Sequence, residues 1–152
     1  MKIYVASSWR NEFQPLVVAE LREDGHEVYD YRHPEPGNEG FSWSEIHPNW
    51  QAWTPQEYMS ALDHDIATHG FGRDMGALAG ADVCVMVMPC GMSASLETGY
   101  AVGAGKPTAV YVPGMREPDL MVKMADFITD DLVALCNWVH SLARNFGAEH
   151  SR

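Results

Sequence analysis

The run of six apolar residues from Val83 to Met88 (VCVMVM) limits the possible folds of this chain more than any other feature of its sequence. It follows Asp82 and stops at the turn signal Pro89-Cys90-Gly91. Six residues are the length of a strand, whereas a membrane span needs roughly 18 apolar residues in a row. Because apolar and polar residues do not alternate, both faces of this strand are expected to be covered, as in the centre of a parallel sheet.

Further strands alternate with amphipathic helices along the chain, which predicts a doubly wound α/β fold. A strand ends near Ala6, and a helical pattern at 12–22 stops at Asp24-Gly25. The other predicted segments are a strand at 26–31, helices at 56–69, 73–79 and 93–103, strands at 108–112 and 126–128, and a helix at 131–146. Five strands favour a flavodoxin-like or Rossmann-like parallel sheet of order 2-1-3-4-5 with helices on both faces. We expect residues 1–152 to form a single domain.

A segment at about 32–55, between the second strand and the next helix, is rich in proline, glycine and tryptophan. Its large aromatic residues are Phe41, Trp43, Trp50 and Trp53. A loop of this length in a compact domain is usually functional or disordered, and four aromatic side chains that need packing partners argue against disorder. Two interpretations remain open: the loop closes a small satellite core, or it covers a ligand.

The composition excludes several classes of function. Ten Lys and Arg residues against 21 Asp and Glu residues give a formal net charge of −11, which argues against binding of DNA or RNA. The three cysteines are widely spaced and lack a CxxC pair, so we expect neither a disulfide framework nor a metal site. The GxGxxG and P-loop motifs do not occur, and no cofactor is expected. Because no membrane span or signal peptide is recognisable, the expected location is the cytoplasm.

The predicted strand order indicates two loops as the place of ligand binding. The first and third strands are neighbours at the switch point of the sheet, and ligands bind beside the loops that follow such strands. These loops are 7–11 (SSWRN) and 89–95 (PCGMSAS). The second loop leads into a helix, whose free N–H groups and dipole favour an anion. In the first loop, Arg10 and Ser8 could grip a phosphate, although an arginine on the surface is the more common case.

Two acidic residues are candidates for catalysis. Glu97 lies four residues after Ser93, so both project from one face of the predicted helix. Alternatively, Glu97 compensates the helix dipole or forms a capping box, but if Ser93 is the N-cap, Leu96 occupies the acidic position of that box. Asp74, near the start of a predicted short helix, is equally compatible with an N-cap role. Cys90 is interpreted as structural, because no arginine follows it in a phosphate-binding loop.

Three segments resemble the nucleoside 2-deoxyribosyltransferase family, which includes the deoxynucleoside 5′-monophosphate N-glycosidases. They are KIYVASSWR at 2–10, RDMGALAGADVCVMVMP at 73–89 and SASLETGYAVGAGKP at 93–107. The resemblance implies that Glu97 is the nucleophile that attacks the anomeric carbon of the sugar. It implies that Asp74 positions the substrate or handles the proton of the base. It also implies a substrate-binding set that consists of Tyr4, Ser7, Ser8, Arg10, Gly91, Ser93 and Ser95.

The expected reaction is hydrolysis of the N-glycosidic bond of a nucleoside or (deoxy)nucleoside 5′-monophosphate. A carboxylate nucleophile captures the oxocarbenium-like sugar, and water or another base then resolves the glycosyl-enzyme. Deoxyribosyltransferases tend to carry an acidic residue before the glutamate helix, where this chain has Gly91-Met92, so hydrolysis is preferred over transfer. The alternatives are deoxyribosyl transfer between nucleobases and a non-catalytic nucleotide-binding or sensor domain.

The expected partners are a nucleoside or nucleotide and further copies of the chain. Trp43, Trp50 or Trp53 is expected to stack on the base, because the loop that carries them is unusually aromatic. Members of the family assemble as dimers or larger oligomers, so the resemblance implies a homo-oligomer. The apolar face around Trp138 would serve such an interface or would simply be buried within the subunit.

Overall fold

The computed structural model describes residues 1–114 and 117–149 and contains a five-stranded sheet. Its strands are β1 (Lys2–Ala6), β2 (Glu27–Tyr29), β3 (Val83–Val87), β4 (Thr108–Tyr111) and β5 (Phe127–Thr129). All neighbouring strands are parallel, and their order is β2-β1-β3-β4-β5. The apolar run that begins at Val83 forms the central strand, whose five residues are all buried. The predicted sheet and strand order are therefore confirmed.

Helices cover both faces of the sheet, as predicted. They are α1 (Gln14–Glu23), α2 (Pro55–Leu62), α3 (Asp65–Gly80), α4 (Met92–Gly103) and α5 (Leu132–Glu149). Along β1, Ile3 and Val5 belong to the core that contains residues of α1 and α5, whereas Tyr4 and Ala6 belong to the core that contains residues of α3 and α4. The alternation shows that these two cores lie on opposite faces. No helix in the described part of the chain is both long and apolar enough to cross a membrane.

The helix boundaries between β2 and β3 differ from the prediction. The pattern predicted helices at 56–69 and 73–79, whereas the chain forms the shorter α2 and then an unbroken α3 of 16 residues. The break comes earlier because the ring Nδ1 of His64 accepts a hydrogen bond from the backbone N–H of Ile66 at 3.1 Å and caps α3. Glycines within α3 do not interrupt it, because tertiary packing outweighs their low helix propensity.

The loop between β2 and α2 begins earlier than predicted and contains regular turns. The strand expected to reach residue 31 stops at Tyr29, because the Asp30 carboxylate accepts the backbone N–H of Arg32 at 3.0 Å and turns the chain. Two short 3-10 helices follow, at Trp43–Glu45 and Trp50–Ala52. A capping box formed by Ser42 and Glu45 fixes the start of the first one.

Aromatic packing holds this loop against the helices. The ring of Trp43 makes edge contacts with those of Phe41, Trp53 and Tyr58, at centroid distances of 4.7, 5.6 and 5.9 Å. Phe41 also packs on Gly70 of α3, where an added Cβ would lie only 3.1 Å from the Phe41 side chain. The loop thus builds a satellite core, which was one of its two predicted roles.

Candidate active site

Two loops at the carboxyl ends of β1 and β3 are joined by buried side chains. The Ser7 hydroxyl donates a hydrogen bond to the carbonyl oxygen of Val87 at 2.8 Å. The amide nitrogen of Asn11 donates to the carbonyl oxygens of Val87 and Pro89 at 3.1 and 2.9 Å. The Asn11 amide oxygen accepts the backbone N–H of Gln14 at 2.9 Å, which connects the same side chain to the start of α1. Hydrogen bonds therefore fix the two loops to each other at the edge of the sheet where the strand order predicts ligand binding.

A cavity of about 520 Å³ opens at this edge. Its lining comes from both loops, from the loop between β2 and α2, and from helices α3 and α4: Ser7, Trp9, Arg10, Tyr31, Glu39, Phe41, Ser42, Trp43, Trp50, Asp74, Ser93 and Glu97. A cavity of this size accommodates a small organic ligand. Its aromatic side chains offer flat apolar surface, and its carboxyl groups and one guanidinium group offer polar contacts.

Glu97 lies in the second turn of α4, at the cavity. Burial raises the pKa of its carboxyl group from 4.5 to about 7; the Tyr4 hydroxyl opposes this increase, and the charge of Asp74 adds to it. The N-cap of α4 is Gly91, so the capping-box alternative does not apply, and a carboxylate in the second turn lies beyond the first-turn positions that best compensate a helix dipole. The structure therefore places Glu97 where it can act on a ligand.

Tyr4 lies within the electrostatic reach of the Glu97 and Asp74 carboxyl groups. Its side chain is fully buried, and its hydroxyl has no hydrogen-bond partner at ordinary distance among the described residues. Burial raises the pKa of Tyr4, and the charges of Glu97 and Asp74 raise it further, so the hydroxyl remains protonated at neutral pH and keeps a hydrogen to donate. Tyr4 does not line the cavity, although the sequence analysis placed it among the substrate-binding residues.

Asp74 faces the same cavity from the interior of α3. Because His64 is the N-cap of that helix, the N-cap alternative for Asp74 does not hold. Its Oδ1 accepts a hydrogen bond from the Tyr29 hydroxyl at 2.6 Å, and the Nε of Arg73 lies 3.8 Å from the same oxygen. Burial raises the pKa of Asp74, while the Tyr29 hydrogen bond and the Arg73 charge oppose that increase.

The two basic residues near the loop after β1 have different surroundings. Arg10 is exposed, lines the cavity and makes no side-chain hydrogen bond to the described residues. Arg32, which the sequence analysis did not select, donates two hydrogen bonds through Nη2, to the carbonyl oxygens of Ser8 and Asn11 at 2.7 and 2.8 Å. Its guanidinium group also lies 6.0 Å from the centroid of the Trp9 ring. Arg32 thus holds the loop in its conformation, and Arg10 is the basic residue among the described residues that line the cavity.

Of the serines proposed for substrate binding, some line the cavity and others do not. Ser93 lines the cavity, whereas Ser95 donates its hydroxyl hydrogen to the Gly91 carbonyl oxygen at 3.1 Å and lines a separate cavity of about 70 Å³. Successive helical residues are about 100° apart, so Ser95 lies on nearly the opposite side of α4 from Ser93. The Ser8 hydroxyl accepts the backbone N–H of Arg10 at 3.3 Å and does not line the cavity.

Among the tryptophans of the loop, too, some line the cavity and one does not. Trp43 and Trp50 line the cavity, whereas Trp53, which was also expected to stack on the base, does not line it and packs on Trp43. Trp9, in the loop after β1, is a further aromatic lining residue. The sequence indicated an aromatic surface but not which rings would form it.

Cysteine and metal chemistry have little support at this site. Burial raises the pKa of Cys90, and the charge of Glu97 adds to this increase, so its thiol is a poor nucleophile at neutral pH. Within residues 1–114 and 117–149, no group of three or more His, Cys, Asp or Glu side chains is arranged to hold a metal ion.

Several residues around the site were not selected from the sequence. Tyr29 could have been considered from the sequence, because it ends the strand next to β1 and ligands in open α/β sheets bind outside the carboxyl ends of the strands. Arg32, Tyr31 and Glu39 carried none, since their positions depend on the path of an irregular loop.

Comparisons with known proteins agree with this architecture. A search of protein-family models finds no match, and neither does a search of curated protein sequences. Among solved structures, the chain is similar to a 2-deoxyribosyltransferase from the psychrotolerant bacterium Bacillus psychrosaccharolyticus, described as a biocatalyst for the synthesis of antiviral and antitumoral nucleosides. The TM-score is 0.57 and the sequence identity is 21%, over 90% of this chain and 91% of the other. The two proteins share a fold, the one that the resemblance implied.

Proposed function

We propose that this protein cleaves the N-glycosidic bond of a 2′-deoxynucleoside and transfers the deoxyribosyl group to a second nucleobase. The observation that carries the proposal is the pair of carboxyl groups, Glu97 and Asp74, in one aromatic-lined cavity. The shared fold with a 2-deoxyribosyltransferase and the resemblance of three sequence segments support the same chemistry.

The first half of the reaction uses Glu97 as the nucleophile. A carboxylate oxygen of Glu97 bonds to C1′ of the sugar while the C1′–N bond breaks, and the electron pair of that bond remains on the departing base. With a pKa of about 7, Glu97 is ionised in about half of the molecules at neutral pH. Its burial leaves the carboxylate weakly hydrated, which favours attack on a carbon that develops positive charge.

Asp74 supplies and recovers the proton. Burial raises the pKa of Asp74, which favours a protonated carboxyl group that can donate to the departing base. In the second half, a nitrogen of the incoming base bonds to C1′, the Glu97 carboxylate departs, and Asp74 takes the proton from the incoming base. Two successive displacements at C1′ retain the configuration of the sugar.

The other lining groups fit the two ends of a nucleoside. Trp43 and Trp50 offer aromatic surface on which a base can stack. Arg10 and Ser93 are suited to the 5′ end, where the guanidinium group would also pair with a phosphate if the substrate is a 5′-monophosphate.

The preference for hydrolysis that the sequence suggested receives no support from the comparison, because the protein of similar fold is described as a transferase. Hydrolysis would differ only in the second half, where water would replace the incoming base. We therefore place transfer first and use the acceptor to separate the two reactions.

The test measures products from three proteins: wild type, Glu97→Gln, and the control Glu23→Gln, which changes an exposed glutamate of α1. Each is incubated with a panel of nucleosides and 5′-monophosphates, in ribo and deoxy forms, with and without a different free base. Chromatography then quantifies released base and new nucleoside, and mass spectrometry of the intact protein detects the glycosyl-enzyme.

We expect wild type and Glu23→Gln to form a new nucleoside, and Glu97→Gln to form none. Base release without a new nucleoside would replace transfer by hydrolysis. Equal turnover by Glu97→Gln would refute Glu97 as the nucleophile. Nucleoside binding without turnover in any of the proteins would favour the non-catalytic interpretation.

A further inference from the structure

We infer that Tyr29 is a positioning residue for Asp74, an inference that rests on the proposed function. Tyr29 is not among the cavity-lining residues, whereas Asp74 is. Its hydroxyl donates to Asp74 Oδ1 at 2.6 Å, the length typical of a charge-assisted hydrogen bond between a hydroxyl and a carboxylate. Oδ2 makes no hydrogen bond to any described residue, so Tyr29 selects which oxygen of Asp74 is available to a ligand.

The backbone of the sheet fixes the Tyr29 side chain. Tyr29 and Tyr4 are register partners on the parallel strands β2 and β1. Their rings stack with a centroid distance of 5.4 Å and an interplanar angle of 15°. Because Tyr4 is fully buried, it gives the Tyr29 ring a rigid surface and limits its movement.

The stacked tyrosines also connect the two acids of the site. The Tyr4 hydroxyl affects the ionisation of Glu97, and the Tyr29 hydroxyl holds Asp74. The two acids lie on different helices, α4 and α3, whereas the tyrosines lie on adjacent strands that cannot slide without breaking the ladder. The pair therefore helps to set the spacing between nucleophile and proton donor.

The charges around Asp74 show what loss of the Tyr29 hydroxyl would do. Arg73 contributes its charge from α3, with Nε 3.8 Å from Oδ1, and Glu97 faces the same cavity from α4. Burial raises the pKa of Asp74, and the Tyr29 hydrogen bond opposes that increase more than Arg73 does. Tyr29→Phe should therefore raise the pKa of Asp74 and release its carboxyl group from a fixed orientation.

The experiment is a double-mutant cycle that combines Tyr29→Phe with Asp74→Asn. If Tyr29 acts through Asp74, Tyr29→Phe should lower kcat/KM about tenfold in the wild-type background and less than about twofold in the Asp74→Asn background. Tyr111→Phe is the matched control, because it removes a tyrosine hydroxyl from β4 that makes no hydrogen bond to the described residues. A merely structural role of Tyr29 would lower activity equally in both backgrounds, and that result would overturn the inference.

A second measurement does not depend on activity. Carbon-13 NMR of the substrate-free protein follows the titration of the Asp74 carboxyl carbon in wild type and in Tyr29→Phe. We expect the midpoint to move to higher pH in the variant, and an unchanged midpoint would overturn the inference even if Asp74→Asn is too slow to assay. If the midpoint moves but no nucleoside is cleaved, the positioning of Asp74 stands and the proposed function fails.

Discussion

Replacing Glu97 with glutamine should stabilise the folded protein at neutral and alkaline pH, even though it removes the proposed nucleophile. Burial raises the pKa of Glu97 from 4.5 to about 7 in the folded state, and the charge of Asp74 adds to this effect. In the unfolded chain the carboxyl group titrates near its ordinary value, so the folded state binds more protons between these two pH values. The stability contributed by Glu97 therefore decreases as the pH rises from 4.5 to 7.

The size of this effect follows from the two pKa values. Their difference corresponds to a decrease of up to about 3 kcal/mol in the unfolding free energy of the wild type. This decrease is absent below pH 4.5 and complete above pH 7. Because the sequence pI is about 4.9, the measurement should begin at pH 5.5, where solubility is better. About 2 kcal/mol of this decrease in unfolding free energy should occur between pH 5.5 and 8.

Urea unfolding at several pH values, followed by tryptophan fluorescence, measures this difference. The free energy of unfolding of Glu97→Gln minus that of wild type should increase by about 2 kcal/mol over this range. Glu23→Gln, on the exposed side of α1, controls for the loss of a surface charge and should show no such increase. A difference that is independent of pH, or that decreases with pH, would refute the burial argument for Glu97.

Four further predictions concern the cavity and its loop. Gly40→Ala should lower the unfolding free energy by about 2 kcal/mol or more, because φ is +75° and the added Cβ would clash with the backbone carbonyl oxygen of Tyr31. Gly37→Ala, with φ +79° and no atom within 4 Å of the added Cβ, should lower it by only about 1 kcal/mol in the same urea titrations. Arg32→Lys should raise KM severalfold with an unchanged circular dichroism spectrum, because lysine loses the stacking contact and part of the grip on two carbonyl groups; an unaltered KM would contradict this role. Trp50→Ala should raise KM about tenfold and leave kcat nearly unchanged in steady-state kinetics, whereas a lower kcat at constant KM would show that the ring acts only in the transition state. Finally, kcat/KM should show two limbs with pH: it should rise as Glu97 ionises and fall again as Asp74 loses the proton that it donates; a pH-rate profile without the acidic limb would contradict the assignment of Glu97.

The fold was predictable because its signals are local and repeated. The apolar run at Val83 has the length of a strand and ends at a Pro-Cys-Gly turn signal, which favoured a buried strand. The glycine that follows the first helix, Gly25, has the positive φ of +86° expected of a helix stop. The break between α2 and α3 was not predictable from periodicity, because it depends on a histidine cap rather than on glycine or proline. Local propensity was outweighed there by capping and by packing of the loop on α3.

Site residues whose positions follow from the strand order and the helix spacing could be predicted from the sequence. Residues whose positions depend on contacts between distant parts of the chain could not. Glu97 and Asp74 follow from the strand order, the helix spacing and the family resemblance. Tyr29 meets Asp74 across 45 positions of sequence, and Arg32 reaches back to Ser8 across 24, so no local pattern reveals either contact. The assignment of Ser95 to the cavity ignored its rotation around the helix.

The dimensions of the two outer strands have a consequence for behaviour at high protein concentration. Both edges of the sheet, β2 and β5, are only three residues long, and the carbonyl oxygen of Val28 in β2 already accepts a hydrogen bond from Arg22 at 3.0 Å. A strand from another molecule therefore finds few unpaired backbone groups to extend. Short, partly capped edges protect an otherwise very apolar sheet from edge-to-edge aggregation and from growth into fibrils.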